Sequence, residues 1–376
     1  MISEFWHGAK SPKIVFVNDV WRREETELGL PLIGPAGREF FRMLGQAWKS
    51  EEISSLADDF SPLWGRKRLP WMEANHVAII SVFNFRPERD EMESLCGEKD
   101  DPESSEVKFP NETYLKTRYL PHLERLVEDL NTLSPNLIVP LGLIASWALR
   151  LPLVLKKTRG AVTQSPGVKA KILPTYSPAS LLFSASGSGG NRSNRPVIIA
   201  DLIKARVEMR FSEVRRMKRE IVINPTLLSV EKMVESILAF PPPQLSIDIE
   251  TGRGQIRCVG IATSINFATI IPFTDNYRRY WPTIDEEFRA WTSVKALCES
   301  SIPKIGQNFL YDIQWLMKMG IYMNCAREDT MLQSHAIWPE LPKDLGFLGS
   351  VFANEPAWKM MRDRRGASAE GEKPNE

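Results

Sequence analysis

Cysteine is scarce in this chain, with four residues at positions 96, 258, 298 and 325. No two of them form a Cys-x-x-Cys pair, which argues against a zinc ribbon, an iron–sulfur cluster and a disulfide framework. Histidine is equally scarce, at four, and none has metal-ligand spacing. Long apolar runs are missing too. The most apolar stretch, Leu137 to Leu155, contains Pro140, Gly142 and Arg150 and reads as strand, turn and helix rather than a membrane span. Met1 to His7 lacks the charged start and apolar run of a signal peptide, so a cytoplasmic protein with no membrane partner is expected, and Asn191-Arg-Ser193 is not read as a glycosylation site. Strong net charge is absent: the balance is +1, so any affinity for a polyanion must come from local patches. What remains is an ordinary globular composition, 43% hydrophobic and 25% charged, in 376 residues, enough for two domains.

The first half alternates short apolar strands with helical stretches. Strands are expected at Lys13–Val17, Val77–Val82, Asn136–Val139 and Lys171–Pro174, with helices over Gly37–Trp48, Tyr119–Leu130 and Ala200–Arg206. That alternation predicts an α/β fold with a mostly parallel sheet covered on both faces. Cys96 to Asn111 reads as a polar surface loop and Ser184 to Asn194 as a flexible Gly/Ser loop. Arg206 to Glu220 holds six Lys/Arg and three Glu, a solvated face or a set of phosphate contacts, and Pro241-Pro-Pro243 marks a boundary. Beyond it, strands are expected at Leu245–Ile249, Arg257–Thr263, Ala268–Phe273 and Lys304–Gly306, and helices at Glu286–Glu299 and Tyr311–Met319. The tail from Asp363 is polar and charged and reads as disordered.

Asp248 and Glu250 stand two apart in a strand, so both carboxylates point to one face. Asn308 and Asp312 stand four apart where a helix begins, which puts both on one helical face. If helix and strand are neighbours, three carboxylates converge and repel unless cations neutralise them. Hard divalent ions with oxygen ligands suit that role, and a pair of them could activate a water for phosphodiester cleavage. The bland alternative is a pair of solvated acids at a strand end.

Ser246-Ile-Asp-Ile-Glu-Thr251 resembles the first exonuclease motif of the proofreading domain of family-A DNA polymerases, and Gly306-Gln-Asn-Phe-Leu-Tyr-Asp312 the second. Glu328-Asp-Thr-Met-Leu332, Trp338-Pro-Glu-Leu-Pro-Lys343 and Leu345-Gly-Phe-Leu348 resemble the segment that follows; the likeness runs from about Gln244 to Trp358. The resemblance implies a 3′→5′ exonuclease with Mg or Mn held by Asp248, Glu250 and Asp312. It places Asn308 near the scissile strand and makes Asp329 a helix cap rather than a ligand. The family's third motif, Tyr-x-x-x-Asp, has no counterpart: no tyrosine follows Tyr322, and Asp363 lacks the context. The implied nuclease site lacks one carboxylate and a water-orienting tyrosine.

Val17-Asn-Asp-Val-Trp21 and Leu30-Pro-Leu-Ile-Gly-Pro-Ala-Gly37 resemble the opening motifs of the uracil-DNA glycosylase superfamily. Phe83-Asn-Phe-Arg-Pro87, Pro135 to Gly142 and Pro174 to Leu182 resemble its later blocks in the right order. The resemblance implies base flipping and N-glycosidic cleavage. Asp19 takes the place of the acidic or polar residue. Ser177 takes that of the histidine, and Leu32 that of the base-stacking aromatic; Asn84 completes the implied pocket. These replacements imply weakened catalysis with DNA binding retained through the Gly34–Gly37 turn, Arg86 and the Ser177 loop. The iron–sulfur cysteines of some members are absent.

The expected organisation is a glycosylase-like domain over 1–206, a three-layer α/β fold; a basic, Pro-rich connector over 207–243; a partial ribonuclease H-like exonuclease fold over 244–361; and a disordered tail over 362–376. Arg215, Arg216, Lys218 and Arg219 are the expected phosphate contacts. Three functional readings stay open: an exonuclease-like protein of replication or repair acting on single strands or 3′ ends, a non-cutting DNA-binding module beside a separate polymerase, or a glycosylase of unusual motif.

Overall fold

The structure is a computed structural model that describes residues 6–59, 61, 63–182, 190–275, 278–353 and 355. Trp358, the tail from 362 and most of the Ser184–Asn194 loop lie outside the described residues. Two compact units emerge: one from the described residues up to Val214 together with those from Gly346 onward, the other from Arg215 to Leu345.

The first nine strands of the chain belong to the first unit. They are β1 (Trp6–Gly8), β2 (Ile14–Val20), β3 (Val77–Phe83), β4 (Cys96–Gly97), β5 (Ser104–Lys108), β6 (Tyr114–Lys116), β7 (Leu137–Pro140), β8 (Thr163–Ser165) and β9 (Val168–Ile172). Six of them form the main sheet, in the order β1-β3-β2-β7-β9-β8. The central four run parallel; β1 and β8 are antiparallel edges. Alternate residues feed two cores. Ile14, Phe16, Ile79 and Val139 face one layer with Phe40, Phe41, Leu44 and Leu202, from the helices Pro35–Trp48 and Asn194–Glu208. Val15, Val17, Ile80 and Ile138 face the other with Leu126, Leu130 and Ala145, from Leu120–Leu133 and Leu143–Ala148. A strand buried on both faces reads as a continuous apolar run, which is why Ile14–Val17 and Val77–Val82 were legible. The fold is the expected three-layer α/β sandwich.

Cys96 to Lys108 departs from the expected loop. β4 and β5 both pair antiparallel with β6. Leu95, Phe109 and Leu115 anchor this small sheet in the second core layer. Its strands are short and polar, so no alternation marked them.

The strands of the second unit are β10 (Glu220–Val222), β11 (Leu245–Gly252), β12 (Gln255–Ser264), β13 (Phe267–Pro272), β14 (Thr274–Asp275), β15 (Arg278–Arg279), β16 (Lys304–Gly306) and β17 (Ala326–Asp329). Its main sheet has the order β10-β13-β12-β11-β16-β17, while β14 and β15 form a separate ribbon. Only β12 opposes its neighbours. The order β13-β12-β11-β16-β17 is the ribonuclease H-like arrangement expected. Leu245, Ile247 and Ile249 enter the core with Val230, Val234 and Ile237 of the Leu227–Ala239 helix and with Ala290, Val294 and Leu297 of Ile284–Glu299. Residues 220–239, read from sequence as connector, are therefore an edge strand and a core helix of this unit. No helix among the described residues is long and apolar enough to cross a membrane.

Candidate functional site

In an open parallel sheet, the strand-to-helix loops gather at the carboxyl ends of the strands and make the natural place for a ligand. The first unit follows this rule. Asp19 lies near the end of β2, Asn84 directly follows β3, Gly142 follows β7, and Thr175 to Ser177 follow β9. Gly142 and Ser177 pack so closely that a Cβ on the glycine would stand 2.8 Å from that of Ser177, and Gly142 has a φ of +107°. The structure thus brings Asp19, Asn84 and Ser177 to one edge on neighbouring strands.

Each of these groups has a local role. The half-buried Asp19 Oδ1 accepts the Ala145 N–H at 3.2 Å, in the first turn of Leu143–Ala148. Burial pushes the Asp19 carboxyl up to about 7, against the opposing pull of that hydrogen bond and of Arg22. Ser177 Oγ accepts the Ala179 N–H at 3.3 Å and caps the turn Pro178–Leu181. Asn84 is half-buried.

One of the expected positions is corrected. Leu32 is not a pocket wall: it is 4% exposed and packs in the core with Phe41 and Trp64. Arg86 is exposed and pairs with Asp90, with Nε donating at 2.8 Å to Oδ1 and Nη2 at 2.5 Å to Oδ2.

The Leu30–Gly37 turn is held by residues that carry no motif. Leu32 has a φ of +51°, a conformation that costs a β-carbon residue roughly 1–2 kcal/mol. The fully buried Arg68 opposes that cost, donating to the carbonyls of Pro31 and Leu32 while lying over the rings of Phe41 and Trp64. Burial lowers the Arg68 guanidinium to about 9. Glu25 Oε1 accepts the N–H groups of Ile33 and Gly34 at 3.0 and 2.9 Å. Gly37 is required, because a Cβ there would lie 2.0 Å from the Leu32 carbonyl oxygen. Beside the turn sits a cavity of about 490 Å³ walled by Ile33, Gly34, Pro35, Arg38, Arg42 and Leu182, with Glu24 and Glu39. Glu25 and Arg68 gave no sequence signal, since both sit in charged stretches that read as surface.

In the second unit, Asp248 and Glu250 are exposed on one face of β11 and alternate with buried Ile247 and Ile249. Asp312, in the first turn of Phe309–Lys318, is 3% exposed, and its Oδ1 accepts the Ile249 N–H at 2.8 Å. Burial pushes the Asp312 carboxyl up to about 6; the Ile249 hydrogen bond opposes this, and the charges of Asp248 and Asp329 add to it. Asn308 does not share the helical face of Asp312. It is the residue before the helix, with a φ of +55°.

The second motif is largely architectural. A Cβ at Gly306 would strike the Phe309 ring at 2.3 Å. Asp329 accepts the N–H groups of Asn308 at 3.0 Å and Phe309 at 2.8 Å, and that of Met331 at 2.8 Å, joining the starts of two helices as the expected cap. Gln307 is clasped by Thr330 Oγ1 and by its own donation to the Lys343 carbonyl at 2.6 Å. The carboxylates offer oxygen donors suited to a hard cation, and Asp248 lies near enough to raise the proton affinity of Asp312. Among the described residues, however, no three His, Cys, Asp or Glu side chains stand together as a metal-holding group. Arg215, Arg216, Lys218 and Arg219 are exposed, and Arg219 Nε donates to the Ile265 carbonyl at 3.2 Å.

A sequence model described as the uracil DNA glycosylase superfamily matches residues 5–202, more than half of the 376 residues. The chain belongs to the uracil DNA glycosylase superfamily. The matched span covers the motif blocks at Val17–Trp21, Leu30–Gly37, Phe83–Pro87, Pro135–Gly142 and Pro174–Leu182, so the glycosylase-superfamily unit holds the whole strand edge described above. No curated protein matches the chain. Solved structures similar to it include the exonuclease domain of EXD2 soaked in Mn and GMP. That chain is 16% identical, with 42% of this chain and 79% of that chain covered and a TM-score of 0.24. The same domain soaked in Mg and GMP is 15% identical over 36% and 71% of the two chains, with a TM-score of 0.23.

Proposed function

We propose that this protein acts on DNA. In this reading the glycosylase-superfamily unit holds a displaced nucleotide without efficient excision, and the second unit is 3′→5′ exonuclease-like. The observation that carries the reading is the superfamily match across residues 5–202. The strand edge of that unit supplies Asp19 and Asn84 as polar groups, and Ser177 offers only a neutral hydroxyl that already caps a turn. A neutral hydroxyl stabilises a departing base anion less well than a positively charged or strongly polarised donor would.

In the second unit, Asp248, Glu250 and Asp312 would hold Mg or Mn, which when bound supplies Lewis-acid activation of a water. The chain's own residues do the rest. The exposed face of β11 presents Asp248 and Glu250, the Ile249 N–H orients the Asp312 carboxylate, and the basic segment Arg215–Arg219 offers phosphate contacts to a single strand or a 3′ end.

A second reading, a DNA-binding module that does not cut and serves a separate polymerase, is favoured by the engagement of Asp312 Oδ1 with backbone. Titrating Mg and Mn against end-labelled single-stranded DNA separates the two. Slow, metal-dependent shortening from the 3′ end supports the first reading, and binding with no shortening at any metal concentration supports the second. Uracil-containing DNA treated with the protein should show few or no alkali-labile sites. Robust excision that disappears in Asp19→Ala would instead make the first unit a glycosylase of unusual motif.

A further inference from the structure

The glycosylase-superfamily unit does not finish at Val214. The Leu345–Phe352 helix, all but its first residue, returns to it. Phe347 and Leu348 are 7% and 6% exposed, whereas Phe352 at the end of the helix is 59% exposed.

Two cations receive this helix. Arg159 is fully buried; its Nε and Nη2 grip Asp201 at 3.1 and 2.7 Å, and its Nη1 donates to Ser350 Oγ at 3.0 Å. The same guanidinium lies 5.4 Å from the centre of the Phe347 ring. Lys204 Nζ donates to the carbonyls of Ser350 at 2.6 Å and Ala353 at 3.3 Å, satisfying the end of the helix, and to that of Gly160 at 2.7 Å. Gly160 is the point of closest approach. At a φ of +70°, a Cβ there would stand 2.7 Å from Asp201 Oδ1 and 3.0 Å from the Ser350 carbonyl oxygen.

The network continues to the strand edge. Thr175 Oγ1 donates to Asp201 Oδ2 at 2.7 Å, and the Thr175 carbonyl accepts the Gly142 N–H at 2.9 Å. Thr175 stands two residues before Ser177, against which Gly142 packs. One connected set of hydrogen bonds therefore runs from Ser350 through Arg159, Asp201 and Thr175 to the backbone that presents Ser177.

We propose that Gly346–Ala353 is a positioning element of the glycosylase-superfamily unit. Docked by Arg159 and Lys204, it fixes Thr175 and so the Gly142 and Ser177 loops at the nucleotide-holding edge. Its effect on DNA rests on the function proposed above; its effect on the loops does not.

The test uses the full chain with Ser350→Ala, the conservative Ser350→Thr, and Gly160→Val. Amide hydrogen exchange is followed at Gly142 and Thr175, and affinity is measured for a uracil-containing single-stranded oligonucleotide. Losing a hydrogen bond to a buried charged group should speed exchange at Gly142 and Thr175 about tenfold in Ser350→Ala, with β11 and β12 unchanged. Ser350→Thr, which keeps the hydroxyl, should restore wild-type rates, and a melting-point change alone would not produce that pattern. Gly160→Val should give the larger effect. Oligonucleotide affinity should fall at least about threefold in Ser350→Ala, in step with the exchange. Unchanged exchange at Gly142 and Thr175 in both Ser350→Ala and Gly160→Val overturns the proposal. Altered exchange in a chain whose wild type binds no oligonucleotide upholds the positioning role and overturns the functional reading alone.

Discussion

Asp19 and Asp312 make mirror-image contacts in two separate units: Asp19, on a strand, accepts an N–H from a helix start, and Asp312, in the first turn of a helix, accepts one from a strand. Each accepts one backbone N–H, and burial raises the carboxyl of each, to about 7 and about 6. Their surroundings differ in sign. Arg22 is the charge that acts on Asp19, whereas Asp248 and Asp329 act on Asp312. A proton is enough to relieve the strain on Asp19. At Asp312 the neighbouring anions add to the effect of burial, and on the function proposed above a bound cation would offset them. The contrast is one of charge: a cation faces the carboxyl of Asp19, and anions face that of Asp312.

The largest expected effect tests whether the two units are energetically separate. Arg159→Met leaves Asp201 buried with the Thr175 hydroxyl but without its ion-pair partner, which should cost the first unit about 3–5 kcal/mol. Denaturant-dependent exchange should show β2 and β3 opening far earlier while β11 and β12 hold. Parallel loss in both sheets would mean that the units share one cooperative transition.

Next comes the metal. Asp248→Ala/Glu250→Ala should weaken Mn binding measured by calorimetry at least about tenfold, and Asp19→Ala should leave it unchanged. Binding that survives the double substitution would dissolve the contrast between the two carboxylates.

A smaller effect concerns pH. Below about 4, the ordinary carboxylate range, Asp19 is protonated in folded and unfolded chains alike. Between there and about 7 the unfolded chain releases the proton and the folded chain keeps it, so stability falls as pH rises and levels off above. Asp19→Asn keeps an acceptor for the Ala145 N–H and removes the charge. Thermal melts from pH 4 to 8 should therefore show a flatter decline in the variant. Identical slopes would place the titration elsewhere.

The smallest is a salt effect. Alanine at Arg215, Arg216, Lys218 and Arg219 should flatten the slope of log affinity against log salt, by about 0.7 for each single-strand phosphate that is no longer neutralised. An unchanged slope makes that segment a solvated face.

The layered sheet of the first unit was legible because buried parallel strands are apolar on both faces, and the Asp248/Glu250 pairing because a strand alternates. What escaped the sequence depends on partners far along the chain. Nothing near Arg68 says that its guanidinium serves the carbonyls of Pro31 and Leu32, and nothing near Asp312 says that its carboxylate meets Ile249. The Leu227–Ala239 helix was obscured differently. Its apolar positions recur at helical spacing, but it lies between a charge run and a proline run that read as connector. Leu32 was assigned a pocket role by its place in a motif, and only packing shows that it points into the core.

The division of the first unit between residues before 215 and after 345 also sets an order of events during synthesis. Domains generally fold as units while the chain emerges. The second unit lies wholly between those limits, so all of its residues leave the ribosome before Ser350 does. Until then the helix that supplies Ser350 to Arg159 is absent. Of the residues that make up the two units, those that complete the first are synthesised last.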